Sequence, residues 1–232
     1  MSQDNKNVEI ENSRPYGCIN IADEKNNIYF DDEDEIGKKE LLKHKIINIK
    51  IYTKVINKQN NIVGIEYTLR NLFNGKDVVM SHKASNEFDD QISLDIKNDE
   101  YLNEIKVRFP NNVKYITQIS FITNKHNNIT AGEEEGELRT LLLKYENSII
   151  LGMQGYISDN LTCLGCSYTS FNSFASSILF KFFLLRHLIK IDQEFKKKWD
   201  DKYDELTPDF KMIWKTVNLP ENCFYKIVRA CL

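Results

Sequence analysis

The chain has 232 residues, a formal net charge of −3 and an isoelectric point near 5.9, with 41% hydrophobic and 28% charged residues. That apolar content supports a packed core and excludes wholesale disorder, and the acidic balance argues against nucleic-acid binding through bulk charge. No window approaches about 18 uninterrupted apolar residues, so no membrane-spanning helix is expected.

The opening MSQDNKNVEIEN has neither a basic n-region nor an apolar h-region, and its acids are unlike an Arg-rich presequence. An intracellular setting, cytoplasmic or cytoskeletal, is therefore the expectation. The odd set Cys18, Cys163, Cys166, Cys223 and Cys231 then reads as reduced thiols. In such a compartment the sequons Asn128-Ile129-Thr130 and Asn160-Leu161-Thr162 go unused.

After a polar tail over 1–12, the chain up to about residue 171 reads as short β-branched and aromatic runs. Asn, Asp, Gly and Lys interrupt them every eight to twelve residues. Lys45 to Thr53 alternates apolar and polar from Ile47 onward, as a half-buried strand does, and Ile62 to Arg70 is a second strand. Asn74-Gly75 marks a hairpin turn before Val78-Val79-Met80, because both residues tolerate positive φ. Gln91 to Ile96, Tyr101 to Phe109, Tyr115 to Thr123, Leu141 to Lys144, Ile149 to Met153 and Cys163 to Ser170 complete the strands.

A weak internal repeat runs through them. Ile62, Ile65 and Tyr67; Ile116, Ile119 and Phe121; and Leu161, Leu164 and Cys166 share one spacing, each preceded by another strand. Three hairpins repeated in this way suggest three small sheets around a pseudo-threefold axis.

From residue 172 the spacing becomes helical. Ile178, Phe182, Leu185, Leu188, Ile191, Phe195, Trp199 and Tyr203 recur every three or four residues, and the stretch from Ile178 to Ile191 is apolar on more than one face. Thr207-Pro208-Asp209 opens a second helix and Pro220-Glu221 a third. The charge changes with the pattern: beyond Ala175 there are 11 Lys and Arg against 8 Asp and Glu.

Several clusters invite sharper chemistry and do not support it. Cys163-Leu-Gly-Cys166 lacks the second ligand pair that zinc needs and sits in a strand rather than at a helix start, so two core cysteines are expected. Asp31 to Glu35 and Glu133 to Glu135 lack the interleaved glycine and spacing of a calcium loop and read as solvated loops. His44, His82, His126 and His187 stand apart from any nucleophile motif, and Lys196-Lys197-Lys198 beside Trp199 is offset by Asp200-Asp201. No enzyme, metal or cofactor is expected.

The stretch YITQISFITNKHNNITAG from Tyr115, followed by LLLKYENSIILGMQGYISDNLTCLGCSY, resembles the second half of a jacalin-like lectin domain. Arg14-Pro-Tyr-Gly17, Phe30-Asp31-Asp32, KIINIKIYTK, NIVGIEYTLRN and Asn74-Gly75 fit the first half, so the resemblance spans residues 13–171. It implies a mainly β fold, a β-prism of three four-stranded Greek-key sheets, followed here by a helical extension over 172–232. It also implies a sugar site between an N-terminal glycine loop, kept here as Gly17, and a Gly-x-x-x-Asp loop, matched by Gly155-Tyr156-Ile157-Ser158-Asp159. On that analogy Asp159 accepts two sugar hydroxyls, and Tyr156 and Ile157 offer backbone N–H groups. Counting back from Leu164-Gly165 without a gap instead puts Thr162 at the family's Asp.

Two functions follow. One is a subunit that docks into a multi-subunit protein assembly through Ile178, Phe182, Phe183, Phe195 and Trp199 of the tail; the odd thiols, the scarce glycines and the two-faced helix favour it. The other is a carbohydrate-binding lectin using the loop from Gly155 to Asp159. Neither invokes nucleic acid, and both are compatible with homo-oligomers.

Overall fold

The computed structural model describes residues 9–17, 27–72, 75–97, 100–110 and 114–175, with 196–197, 200–201, 211 and 215 of the tail. Of the helices expected after residue 175, positions 196–197, 200, 211 and 215 are described and helical; the docking residues Ile178, Phe182, Phe183, Phe195 and Trp199 lie outside the described residues. Residues 171–175 are helical.

Two short strands, β1 (Glu11–Asn12) and β2 (Tyr16–Gly17), are followed by β3 (Ile28–Asp31) and two short helices, α1 (Asp32–Ile36) and α2 (Lys38–Leu41). Then come β4 (His44–Ile56), β5 (Gln59–Asn71), β6 (Asp77–Lys83) and β7 (Asp90–Asp95), followed by β8 (Leu102–Phe109), β9 (Gln118–Thr123), β10 (Asn128–Gly132) and β11 (Glu137–Thr140). The long hairpin of β12 (Ser148–Ile157) and β13 (Leu161–Ser170) closes the set.

These strands form three sheets, ordered β6-β5-β4-β7, β10-β9-β8-β11 and β1-β13-β12-β3, with β2 also on β13. Each sheet is a central antiparallel hairpin with one further strand on each side. In the first two sheets the chain supplies all four strands in succession. In the last, the central hairpin comes from the C-terminal end of the β region and its flanks from the N-terminal end. β1 and β2 act as one interrupted edge: Ser13 N–H bonds to the Cys166 carbonyl and the Ser13 hydroxyl accepts from Cys166 N–H, both at 2.9 Å.

The repeat seen in the sequence is the centre of the core. All nine of its residues, Ile62, Ile65, Tyr67, Ile116, Ile119, Phe121, Leu161, Leu164 and Cys166, are fully buried. They come from β5, from β9 and the segment just before it, which holds Ile116, and from β13, so each sheet presents the same face inward. The ladders repeat as well, since β4, β8 and β12 each carry a bulge near their start, at Ile47, Asn103 and Leu151.

Strand placement departs from expectation at two edges. The strand expected over Leu141 to Lys144 is β11, four residues earlier; its residues Glu137 to Arg139 face solvent, whereas the apolar signal belongs to buried Leu141 just beyond it. β10 was not expected, because Asn128, Ala131 and Gly132 carry weak strand preference; pairing with β9 imposes it. At the expected turn between β5 and β6, Asn71 N–H bonds to the Lys76 carbonyl at 2.8 Å and Gly75 has φ +67°, while Asn74 lies outside the described residues.

The acidic run from Asp31 to Glu35 is not a solvated loop. Asp31 caps α1 by accepting from Glu33 N–H at 2.9 Å, and Asp32 is fully buried. One Asp32 oxygen lies 2.9 Å from His82 Nε2 and the other accepts Met153 N–H, so a single carboxylate joins α1, β6 and β12. Gly152 makes the room, since a Cβ there would lie 3.0 Å from that second oxygen. Phe30 stacks on the His82 ring at 4.0 Å. Burial pushes the Asp32 carboxyl up, and the hydrogen bonds from His82 and Met153 oppose this. Asp32→Ala leaves His82 without its carboxylate and Met153 N–H with only the Tyr67 hydroxyl at 3.2 Å, so a loss of about 3–5 kcal/mol is expected in urea unfolding.

Glu66 on β5 forms a second node, near the surface, accepting from Lys50 at 2.9 Å on β4 and pairing with Lys83 at 2.6 Å on β6. Burial raises its carboxyl, but the Lys83 and Lys50 hydrogen bonds outweigh burial and hold it down to about 2. Its folded value lies below its unfolded one, so its stabilisation is complete above the unfolded value and disappears as pH falls toward the folded value. Glu66→Gln should therefore flatten the stability curve below about pH 4.5, by about 2 kcal/mol once exposure of the lysines is discounted, as measured by unfolding across pH 2–6.

Candidate functional site

Gly155 and Gly17 both meet the same stretch of β13. Gly155 pairs with Leu164, and a Cβ on it would stand 2.2 Å from the Cys163 carbonyl and 2.9 Å from the Phe30 ring. Gly17 pairs with Cys163 at φ +137°, where a Cβ would stand 2.2 Å from the Thr162 carbonyl. Both glycines are thus required by strand packing. The same device recurs in another sheet, where Gly132 at φ +95° abuts the Thr117 carbonyl.

Tyr156 and Ile157 sit between two neighbours, Tyr156 with Tyr29 and Cys163, Ile157 with Ile28 and Leu161. Ladder bonding therefore competes for the N–H groups expected to meet a ligand. The half-buried Tyr156 ring lies 5.1 Å from that of Tyr29, which is 49% exposed on the edge strand β3. Burial, followed by the hydrogen bond to Asp31 at 2.8 Å, pushes the Tyr29 phenol up, so it remains a neutral donor.

The hairpin tip is tight: Ser158 N–H bonds to the Asn160 carbonyl at 3.0 Å. Asp159 is exposed there, and its carboxylate has no hydrogen-bond partner among the described residues. Thr162 lies at the ladder irregularity just below, where Tyr156 faces Cys163 and Ile157 faces Leu161. Its hydroxyl donates to the Tyr156 carbonyl at 2.9 Å, and it is buried.

The expected residues are therefore gathered at one end of one sheet, but on two levels. Gly17, Gly155, Tyr156 and Ile157 form its floor, with Thr162 and Cys163 between them. Asp159 projects beyond it. Residues 18–26, the continuation of the Gly17 loop, are not described. The sequence reading did not mark Tyr29, whose only signal was an aromatic residue just before the Phe30-Asp31 match. The expectation of two core cysteines holds: Cys163 and Cys166 are buried, no disulfide joins them, and burial pushes the Cys166 thiol up to about 12. Among the described residues no group of three or more His, Cys, Asp or Glu is placed to hold a metal ion. No described helix is long and apolar enough to cross a membrane.

Gly155→Ala should destabilise the domain by about 1–3 kcal/mol through overpacking against Cys163 and Phe30, whereas Asp159→Ala should leave thermal unfolding unchanged. A midpoint shift in the second variant would show that Asp159 holds the hairpin.

Known structures share this architecture. The agglutinin of Calystegia sepium superposes with a TM-score of 0.52 at 18% identity, covering 71% of this chain and 97% of its own. A mannose-binding jacalin-related lectin from Ananas comosus gives a TM-score of 0.52 at 14% identity, over 70% of this chain and 99% of its own. PirB gives 0.51 at 20% identity, over 71% of this chain but 39% of its own. No curated protein matches the chain by sequence. The family model of the jacalin-like lectin domain matches residues 26–167, more than half of the sequence and the three-sheet body without its first strands. The chain belongs to the jacalin-like lectin domain family.

Proposed function

We propose that the protein is a carbohydrate-binding lectin that recognises a glycan by direct contact, without turnover, at the β12–β13 end of the prism. The observation that carries this is Asp159, an exposed carboxylate with no partner among the described residues, at the tip of a tight hairpin in a fold of this family. A carboxylate accepts hydrogen bonds from two adjacent hydroxyls with charge-assisted strength, and a short hairpin fixes it at little entropic cost. Beside it, Tyr156 and Tyr29 supply aromatic faces for sugar C–H groups. Thr162 stands where the ungapped family pattern places its Asp, but its hydroxyl is used inside the sheet, which leaves the acceptor role to Asp159.

Docking through the tail has less support. The family match ends at Cys166-Ser167, and none of the tail's expected docking residues is described.

A glycan array probed with the full chain should show saturable binding to one sugar class, reduced at least tenfold by Asp159→Ala with unchanged thermal unfolding. A blank array from folded protein, or equal binding by the variant, would remove this role from the hairpin.

A further inference from the structure

A cleft of about 420 Å³ opens between the β2 edge of one sheet and the β8–β11 edge of another. Its size is within the range of small-molecule sites, about 300–1,000 Å³. Arg14, Pro15, Tyr16 and Gly17 line one side; Val107, Phe109, Arg139 and Leu142 line the other. Two arginines thus share the lining, which includes no Asp or Glu among the described residues, in a protein whose net charge is −3. Arg14 is exposed and has no ion-pair partner among the described residues. Arg139 lies 5.9 Å from the centre of the Tyr16 ring and pairs with Glu137 at 2.6 Å, a carboxylate that is itself 64% exposed. That pair is a weak surface contact, and an incoming anion can exchange for it.

The rest of the wall is apolar. Val107 is fully buried and forms part of the floor, Phe109 and Tyr16 are half-buried, and Leu142 is 74% exposed, the highest among the large hydrophobic residues described. An exposed leucine and two aromatic rings beside two guanidiniums fit a ligand with an apolar face and a fixed negative charge. A free inorganic anion would use only the arginines.

We propose that this cleft binds the acidic residue of a glycan, a sugar carrying a carboxylate or sulfate. The guanidiniums of Arg14 and Arg139 hold the anion, and Tyr16, Phe109 and Leu142 cover the ring. Gly17 connects the two sites, since it lines the cleft and also pairs with Cys163 beneath the hairpin tip. The sugar half of the inference rests on the lectin reading; the anion half rests on the arginines alone. Arginine suits this role because its planar fork meets a carboxylate or sulfate with two hydrogen bonds.

The test titrates methyl glucuronide and methyl glucoside into the full chain at low salt, for the wild type, Asp159→Ala and the double variant Arg14→Gln, Arg139→Gln. The expected result is that the wild type binds the glucuronide at least tenfold more tightly than the glucoside. The double variant loses that advantage while its thermal unfolding stays unchanged. Equal binding of the two glycosides by the wild type, or an advantage that survives the double variant, would overturn the proposal. The lectin reading is judged separately by the neutral sugars of the array. If they bind and the glucuronide has no advantage, only the acidic cleft falls; if only the glucuronide binds, through the arginines, the cleft stands and the hairpin site falls.

Discussion

Three hairpins must bury the same face against one another, and most of the molecule follows from that constraint. Nine residues, eight on β5, β9 and β13 and Ile116 just before β9, meet with no solvent exposure. An antiparallel sheet can leave one face in water, but three sheets that share a core must each turn an apolar face inward and keep that register. A slip of one residue in any central hairpin would turn its buried set outward. The recurring bulges at Ile47, Asn103 and Leu151 bend each leading strand at a corresponding point, as three sheets wrapping a common axis require.

The symmetry is broken where the chain closes. The last sheet takes its flanking strands from the N-terminal segment, so its assembly brings residues 11–31 beside residues 148–170. Local hairpins cannot bring these together, and pairing over so long a separation must recover a large loop-closure entropy. The buried Asp32 carboxylate lies at this closure, bonded to Met153 of the last sheet and His82 of the first. A buried carboxylate is expensive unless its lone pairs are used, and both oxygens here are engaged. Its partners come from separate sheets, so the penalty falls on any arrangement that misplaces α1.

Much of the fold was legible because periodicity and burial follow the same rule. The threefold spacing came from apolar side chains, and those side chains are the centre of the core. Edge strands were hard to see for the converse reason: β10 and β11 are held by pairing with a neighbour, and half or more of their side chains face solvent. Asp32 was misread because charge in a sequence suggests solvent, and its acceptors' partners, at 82 and 153, are distant in sequence. In the candidate site, the glycines and the aspartate were named through the family resemblance. Their division into a packed floor and an exposed tip was not, since a glycine required by a strand contact and one required by a ligand look alike in sequence.

That division explains where recognition can change without loss of fold. Gly17 against Thr162 and Gly132 against Thr117 are the same contact in two sheets, so it belongs to the prism's construction and carries no ligand preference by itself. On the proposed reading, ligand preference comes from groups the core does not need: Asp159 at the hairpin tip, the Tyr29–Tyr156 pair on the β3 side, and Arg14 in the lining of the cleft. Asp159, Tyr29 and Arg14 lie on a turn or an edge, where a substitution changes chemistry and little packing, while Tyr156 sits on the inner strand β12. The interior, by contrast, is tied together by positions such as Gly155 and Gly152 that admit no side chain without displacing a neighbour. A prism of this kind can therefore keep its core while its ligand class changes at the rims.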